Sequence, residues 1–420
     1  MMKYILVTGD IHPIGGMQLL SAGVAEVMEK KGWEVYIFFP SHTKGNCALP
    51  YLNKFNDGGF CELTLPPYKW MARTRRYVID RMCQIIGEVH EGEEIIIESH
   101  SDRTSQWGEL LAQRLNAKHM LFLCNETYRG KDKFYLENLD YYDFKHKRKE
   151  VAGEMDDILY KLFEGYKRVE NDELYIFKYD ENPVRDVKDN RVSSIKKYDY
   201  NICYIGRVEK GYVPNIVKGI AKFAKDNKKK SIQFVIVGDT SSQKKLLDES
   251  FKDINNLIVT ELGNVVPIPK ELFTKVDVVI AGSGSAKCAA YEGVYTIVAD
   301  ASNFLANGVL GYDTNDELYH SNVIQMSFDE ALANVLIEKK YDNMKCILPP
   351  YMGPKECVEY NFKLIKNSVQ TKEFYPEKKL CMPKTNYIDA AKMRVYDWIC
   401  KHIPKFSILL LNIKRKVIAK

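Results

Sequence analysis

Three short apolar runs between residues 201 and 300 narrow the folds open to this chain. The first sits in NICYIGRVEKG, the second in IQFVIVGD, and the third opens VDVVIAGSGSAKCAAYEGVYTIVAD. Runs of this length and apolarity read as strands buried on both faces of a parallel sheet. They stop at Gly206, Gly238 and Ala281, and each is followed by a polar or glycine-rich turn. Parallel sheets bind ligands just beyond the carboxyl ends of their strands. Here those ends carry Arg207, Lys210 and the turn Gly282-Ser283-Gly284-Ser285, which opens a predicted helix. A guanidinium, an ammonium and free backbone N–H groups together suit a diphosphate. The plain alternative is a parallel-sheet domain with ordinary polar loops.

The first half of the chain repeats the alternation. Residues 4–8 read as a buried strand, followed by a loop with Gly15 and Gly16. A helix comes next, with Leu19, Leu20, Val24, Val27 and Met28 on its apolar face and Gly32 as its stop. Residues 35–39 form the next strand. EEIIIESHS, a helix around GELLAQRL, and KHMLFLCNE continue the series. Strand, helix, strand predicts a doubly wound α/β sheet with right-handed crossovers. Residues 135–185 are rich in Tyr, Lys, Glu and Asp and read as largely helical. Residues 181–198 are polar, contain Pro183 and read as a connection and hinge. A length of 420 residues accommodates two such domains. The predicted division is a first Rossmann-like domain at 1–183, a linker at 184–200 and a second Rossmann-like domain at 201–350. A C-terminal helix and connection at 351–385 and a basic tail at 386–420 complete it.

Charge argues against nucleic acid as a partner. The net charge is +5, but residues 392–420 hold eight Lys or Arg and one acid, so the tail carries +7 and the remainder −2. Ten cysteines occur with no CxxC pair, and several lie in apolar strands. That pattern reads as reduced thiols of a cytoplasmic protein, with neither a disulfide frame nor a zinc site. The first apolar run is interrupted by Asp10 and reads as a core strand, not a signal peptide. No strand is followed by G-x-G-x-x-G, which argues against a hydride-transferring dehydrogenase.

Two Rossmann-like halves with these turns resemble the GT-B glycosyltransferases, nearest the retaining family-4 type (glycosyl transferases group 1). The resemblance runs to about Asn367. It implies two domains facing across a cleft. In that group a Gly-Arg and a Lys-Gly hold the donor diphosphate; the matching residues are Gly206-Arg207 and Lys210-Gly211. The group's Gly-Asp strand end matches Gly238-Asp239. Its Leu-Gly-x-Val segment beside the nucleobase matches residues 262–265, which include Gly263. Its G-x-P strand matches residues 293–298, with Tyr295 in place of proline. The paired glycines on the acceptor side match Gly15 and Gly16, and His100 falls where a histidine faces the acceptor. One departure stands out. The group has two glutamates separated by seven residues, and here Ile280 and Cys288 occupy those positions, with Glu292 one turn further on. The shape SGSA then TIVAD is similar to a divergent branch of bacterial surface-polysaccharide transferases. The resemblance implies transfer of a sugar from a UDP-linked nucleotide-diphosphate donor to a glycan acceptor, expected to be lipid-linked. It implies no cofactor, no metal and retention of configuration.

Each candidate also has a structural reading. Ser283, Gly284 and Ser285 present N–H groups and hydroxyls to phosphate, or simply cap a helix. Glu292 accepts from ribose hydroxyls, or is a surface residue. His100 and Glu126 are the candidate catalytic residues, each at a strand end. The histidine serves the acceptor or packs in the core; the carboxylate binds sugar hydroxyls or caps a helix. The tail, RVYDWICKHIPKFSILLLNIKRKVIAK, interleaves aromatic and aliphatic residues with lysines. It reads as a peripheral anchor on the anionic inner face of a membrane, or as a helix packed on the body. Two other functions fit the same fold: a non-catalytic partner subunit, suggested by the absent glutamate pair, and a nucleotide-sugar epimerase.

Overall fold

The computed structural model describes residues 2–41, 45–124, 138–153, 175–176, 184–301, 303–315, 325–348, 350, 352–368, 373–381, 395 and 398. The chain divides into two units, Asp180–Gly353 and the remainder, Met1–Tyr179 with Pro354–Lys420.

The first unit is built on β1 (Met2–Val7), α1 (Gly16–Lys30), β2 (Glu34–Phe38), α2 (Ala72–Ile86), β3 (Glu94–His100), α3 (Asp102–Leu115) and β4 (Lys118–Leu123). α4 (Leu139–Lys147), β5 (Val151–Gly153) and β6 (Tyr175–Ile176) follow. The strands form one parallel sheet in the order β2-β1-β3-β4-β5-β6. The apolar runs account for this. Along β1, Ile5 and Val7 enter one core with Trp107 and Leu121, while Tyr4 and Leu6 enter the opposite core with Met120 and Phe122. Both faces are covered by helices, which an all-parallel sheet requires. The sequence predicts helix through 135–185; the described part instead turns from α4 into β5 and β6, strands of three and two residues that are too short to leave a periodic signal.

The second unit begins with β7 (Val184–Arg185), then β8 (Tyr200–Ile205), α5 (Val213–Asp226), β9 (Ile232–Val237), α6 (Lys244–Phe251), β10 (Leu257–Gly263) and β11 (Ile268–Pro269). It continues through β12 (Val278–Ala281), α7 (Gly284–Tyr291), β13 (Tyr295–Ala299), β14 (Ala306–Val309) and α8 (Phe328–Leu336). The main sheet runs β10-β9-β8-β12-β13-β14, parallel except for the last pair. Ile202, Tyr204, Phe234 and Ile280 pack on one face, and Cys203, Ile205, Val235 and Val279 on the other. The stretch expected to be a linker, 184–200, carries structure of its own. β7 pairs with β11, and Val184, Val192 and Ile195 join the second unit's core. Arg191 is held by Asp189 and donates to the carbonyls of Leu262 and Asn264.

The chain then returns to the first unit. In α9 (Pro354–Asn367), Val358 and Ile365 enter the core that holds Tyr4 and Leu6, and Phe362 meets Trp33 edge to face at 5.7 Å. Tyr375, Leu380 and Cys381 complete the opposite core. Among the described residues no helix is long and apolar enough to cross a membrane. Apart from Val395 and Trp398, both exposed, the tail at 386–420 lies outside the described residues.

Candidate functional site

In the second sheet β9 lies on one side of β8 and β12 on the other, so the connections leaving β8 and β12 diverge. Such a switch point opens a crevice at the carboxyl ends of the strands. Ile205 pairs with Ala281, so Gly206 and Gly282 leave the sheet side by side. The Arg207–Lys210 loop and the Gly-Ser-Gly-Ser turn therefore flank one switch point. Tyr204 braces the first of them, its hydroxyl donating to the Arg207 carbonyl at 2.9 Å. Burial pushes that phenol well above its ordinary range, so it stays a neutral donor. Arg207 is exposed, with Glu209 at 3.5 Å, and Lys210 lies 5.8 Å from the Tyr212 ring centre.

Ser283 starts α7 with φ 55° and ψ −142°, and its side chain makes no capping hydrogen bond. A serine rarely adopts this backbone, and such strain collects at functional sites. The N–H groups of Ala286 and Lys287 donate to the Ser283 carbonyl. Those of Gly284 and Ser285 precede the first full turn and have no acceptor within the helix. The loop that carries the two cations and this helix start thus leave the sheet from neighbouring strands.

Gly238 and Gly263 stand beside this centre. The Gly238 N–H donates to the Gly263 carbonyl at 3.0 Å. A Cβ at Gly238 would lie 2.1 Å from the Gly206 carbonyl oxygen. Gly238→Ala is therefore expected to cost about 1–3 kcal/mol through overpacking against backbone. The comparison of urea denaturation midpoints checks this. The exposed carboxyl of Asp239 is held below its usual range by the Ser241 backbone N–H. Glu292, expected to meet the ribose, stands apart from the Gly-Ser-Gly-Ser turn. It sits past the far end of α7, eight residues or about 12 Å of helix rise from the turn, with Lys270 at 3.9 Å.

The first sheet has its own switch point, between β1 and β3. Val7 pairs with Ser99, which brings Thr8 beside His100. His100 is fully buried. Its Nδ1 lies 3.1 Å from the Thr8 hydroxyl and 3.3 Å from the Ser21 hydroxyl, and its Nε2 lies 2.5 Å from Glu98. Tyr4 donates to the other Glu98 oxygen, and burial together with that carboxylate pushes its phenol well up. Both imidazole nitrogens are therefore engaged inside the unit, where they tie α1 to the ends of β1 and β3. Gly15 and Gly16 open α1 at the same end of the sheet; Gly15 is extended and any residue could adopt its backbone. Glu126 lies outside the described residues.

A second buried histidine has the outline of a nucleophile triad. The Ser99 hydroxyl is 2.9 Å from His119 Nε2, and His119 Nδ1 is 2.7 Å from Glu109. No substrate can reach it. Ser99 is fully buried, and a Cβ at Gly108 would lie 2.2 Å from its oxygen. Glu109 also takes Lys145 at 2.6 Å and the Tyr375 backbone N–H at 2.8 Å. Burial alone would push this carboxyl up, but Lys145 and His119 outweigh it and hold it well below the carboxylate range. Burial, with Lys145, pushes the His119 imidazole down, so it is neutral, donating from Nδ1 and accepting at Nε2. The network is structural. Its members are scattered between residues 99 and 375, and no local spacing in the sequence marks them. Among the described residues no group of three His, Cys, Asp or Glu could hold a metal ion.

No protein-family model matches the chain, and no curated protein matches it. Solved structures do. A glycosyltransferase from Rickettsia africae matches with TM-score 0.53 and 14% identity, over 95% of this chain and 99% of that one. A UDP-GlcNAc 2-epimerase from Neisseria meningitidis, bound to UDP-GlcNAc, matches with TM-score 0.53 and 14% identity, over 87% of this chain and all of that one. HepE from Anabaena, in complex with UDP and glucose, matches with TM-score 0.52 and 13% identity, over 87% of this chain and 95% of that one. At these identities the likeness is one of fold: α/β, with two Rossmann-like units of the GT-B type.

Proposed function

We propose that the chain is an enzyme acting on a nucleotide-diphosphate sugar, and that it transfers the sugar to a glycan acceptor in cell-surface polysaccharide synthesis. The observation that carries this is the meeting of the Arg207–Lys210 loop and the Ser283 helix start at one switch point. Arg207 and Lys210 would hold the two phosphates. Gly206, Gly238 and Gly263 would allow close approach of the ligand, and Ser283, Gly284 and Ser285 would supply N–H groups. As the bond from the sugar to the diphosphate breaks, its electron pair passes to the phosphate oxygen. Fixed cations stabilise that charge as it develops. The acceptor hydroxyl forms the new glycosidic bond and passes its proton to the released diphosphate oxygen. Gly15, Gly16 and Glu126 remain the proposed acceptor side, with His100 holding α1 from within through Ser21. A UDP-linked donor is proposed because similar structures hold UDP or UDP-GlcNAc.

Epimerisation is the second reading, favoured by the likeness to a 2-epimerase bound to UDP-GlcNAc. Incubating the purified chain with UDP-GlcNAc and no acceptor separates the two. Conversion of the free nucleotide sugar to its 2-epimer would establish epimerisation, whereas consumption only when a glycan is added would establish transfer. Binding with no turnover under either condition would make the chain a non-catalytic partner.

The acceptor is proposed to be lipid-linked and the tail to lie on an anionic membrane surface. Its +7 charge and its residues Trp398, Phe406, Leu409, Leu410 and Leu411 supply the two forces that hold a peripheral segment. Each cation near such a surface contributes on the order of 1 kcal/mol. Truncation after Asn386 is expected to leave a folded body that binds anionic vesicles more weakly, measured by co-sedimentation. Equal binding by the two forms would remove the tail from this role.

A further inference from the structure

The loop between β13 and β14 leaves the sheet at the same end as the two phosphate turns, since β13 runs parallel to β12 with Val298 opposite Ala281. It carries Phe304, a bulky residue at φ 66° that remains 38% exposed. The conformation is not a loosely held one. Asp300 is fully buried; its carbonyl accepts from the Phe304 N–H at 3.1 Å, and its own N–H donates to the Leu305 carbonyl at 2.9 Å. Its carboxylate accepts from the Asn303 N–H and from the Gln325 amide. The Phe304 carbonyl accepts from Asn215, on α5, at 2.9 Å. The ring tip rests on the Arg207–Lys210 loop: a Cβ at Gly211 would lie 2.7 Å from Phe304 Cζ.

An aromatic ring is thus held at a backbone angle suited to asparagine or glycine, partly open to solvent, beside a proposed phosphate cation. Strain of this kind persists where the surroundings enforce it, and it gathers at ligand clamps. Resting on the nucleotide-diphosphate reading, we infer that Phe304 is a ring-stacking residue of that site. It would pack on a ring with an apolar face carried by the diphosphate, either the nucleobase or the sugar.

Calorimetry with pyrophosphate, UDP and UDP-GlcNAc tests this on full-length wild type, Phe304→Asn and Phe304→Tyr. Asparagine tolerates the left-handed backbone, so Phe304→Asn removes the ring and relieves the strain together. It is expected to melt no lower than wild type, to bind pyrophosphate equally well and to bind UDP-GlcNAc about tenfold more weakly. Phe304→Tyr is expected to retain wild-type affinity for all three. A matching loss for UDP assigns the base as the stacked ring; a loss confined to UDP-GlcNAc assigns the sugar. Unchanged affinity of Phe304→Asn for both nucleotides overturns the inference. So does an equal loss for pyrophosphate, which would mean that Phe304 only supports the loop. Failure of wild type to bind any of the three overturns the diphosphate reading itself, and this inference with it.

Discussion

The double variant Arg207→Ala with Lys210→Ala is expected to bind a nucleoside diphosphate at least a hundredfold more weakly than wild type while keeping its fold. Each side chain would make a charge-assisted contact to phosphate, worth about 1.5–3 kcal/mol. Two such losses exceed the roughly 2.7 kcal/mol of a hundredfold change. Folding should be spared because Arg207 is exposed and the loop is braced from below by Tyr204 through a backbone carbonyl. Calorimetry with UDP measures the affinity, and a thermal melt checks the fold. Unchanged affinity in the double variant would remove the phosphates from this loop. Each single variant should give roughly half of the free-energy loss.

Glu109→Ala is expected to cost about 3–5 kcal/mol of stability, because it leaves the buried Lys145 ammonium short of a counter-charge and removes the acceptor of His119 and of the Tyr375 backbone. Glu109→Gln keeps an acceptor of similar shape but loses the charge, and should fall between the two. The same network sets an acid limit. Glu109 and His119 both titrate lower in the folded unit than when unfolded. For a depressed group the stabilisation is fully present above the unfolded value and is lost as pH falls. The loss should begin near pH 6.5, the ordinary histidine value, and deepen below about pH 4.3 as carboxylates protonate. Urea denaturation at pH 8, 6 and 5 reads this directly. A midpoint that stays constant across the series would contradict the assignment.

The central strands β1, β4, β8, β9 and β12 were legible in the sequence because they are mainly apolar, and a strand buried on both faces needs no long-range information to be recognised. The second switch point was legible for a related reason: Arg207, Lys210 and Ser283 all follow such strands within a few residues. His100 ends β3, but its surroundings come from Thr8 and Ser21 and, through Glu98, from Tyr4, about eighty to a hundred residues earlier. Sequence position alone cannot tell an open strand end from one already closed by other side chains. Glu292 shows the converse. It is near Ser285 along the chain but far from it in space, because a helix carries it away. The stretch at 184–195 reads as a linker since β7 has two residues and its partner, β11, arrives more than eighty positions later.

The return of the chain to its first unit has a consequence for synthesis. Val358 and Ile365, then Tyr375, Leu380 and Cys381, belong to the two cores that flank the first sheet. A ribosome releases these residues after every strand of the second unit. Domains ordinarily complete themselves in the order in which they emerge. Here the first unit can be completed only after the second has emerged, so an emerging chain carries an unsealed apolar surface on both faces of its first sheet while its second unit matures. Residues 354–381 thus act as a closure whose arrival decides when the first half becomes a finished domain.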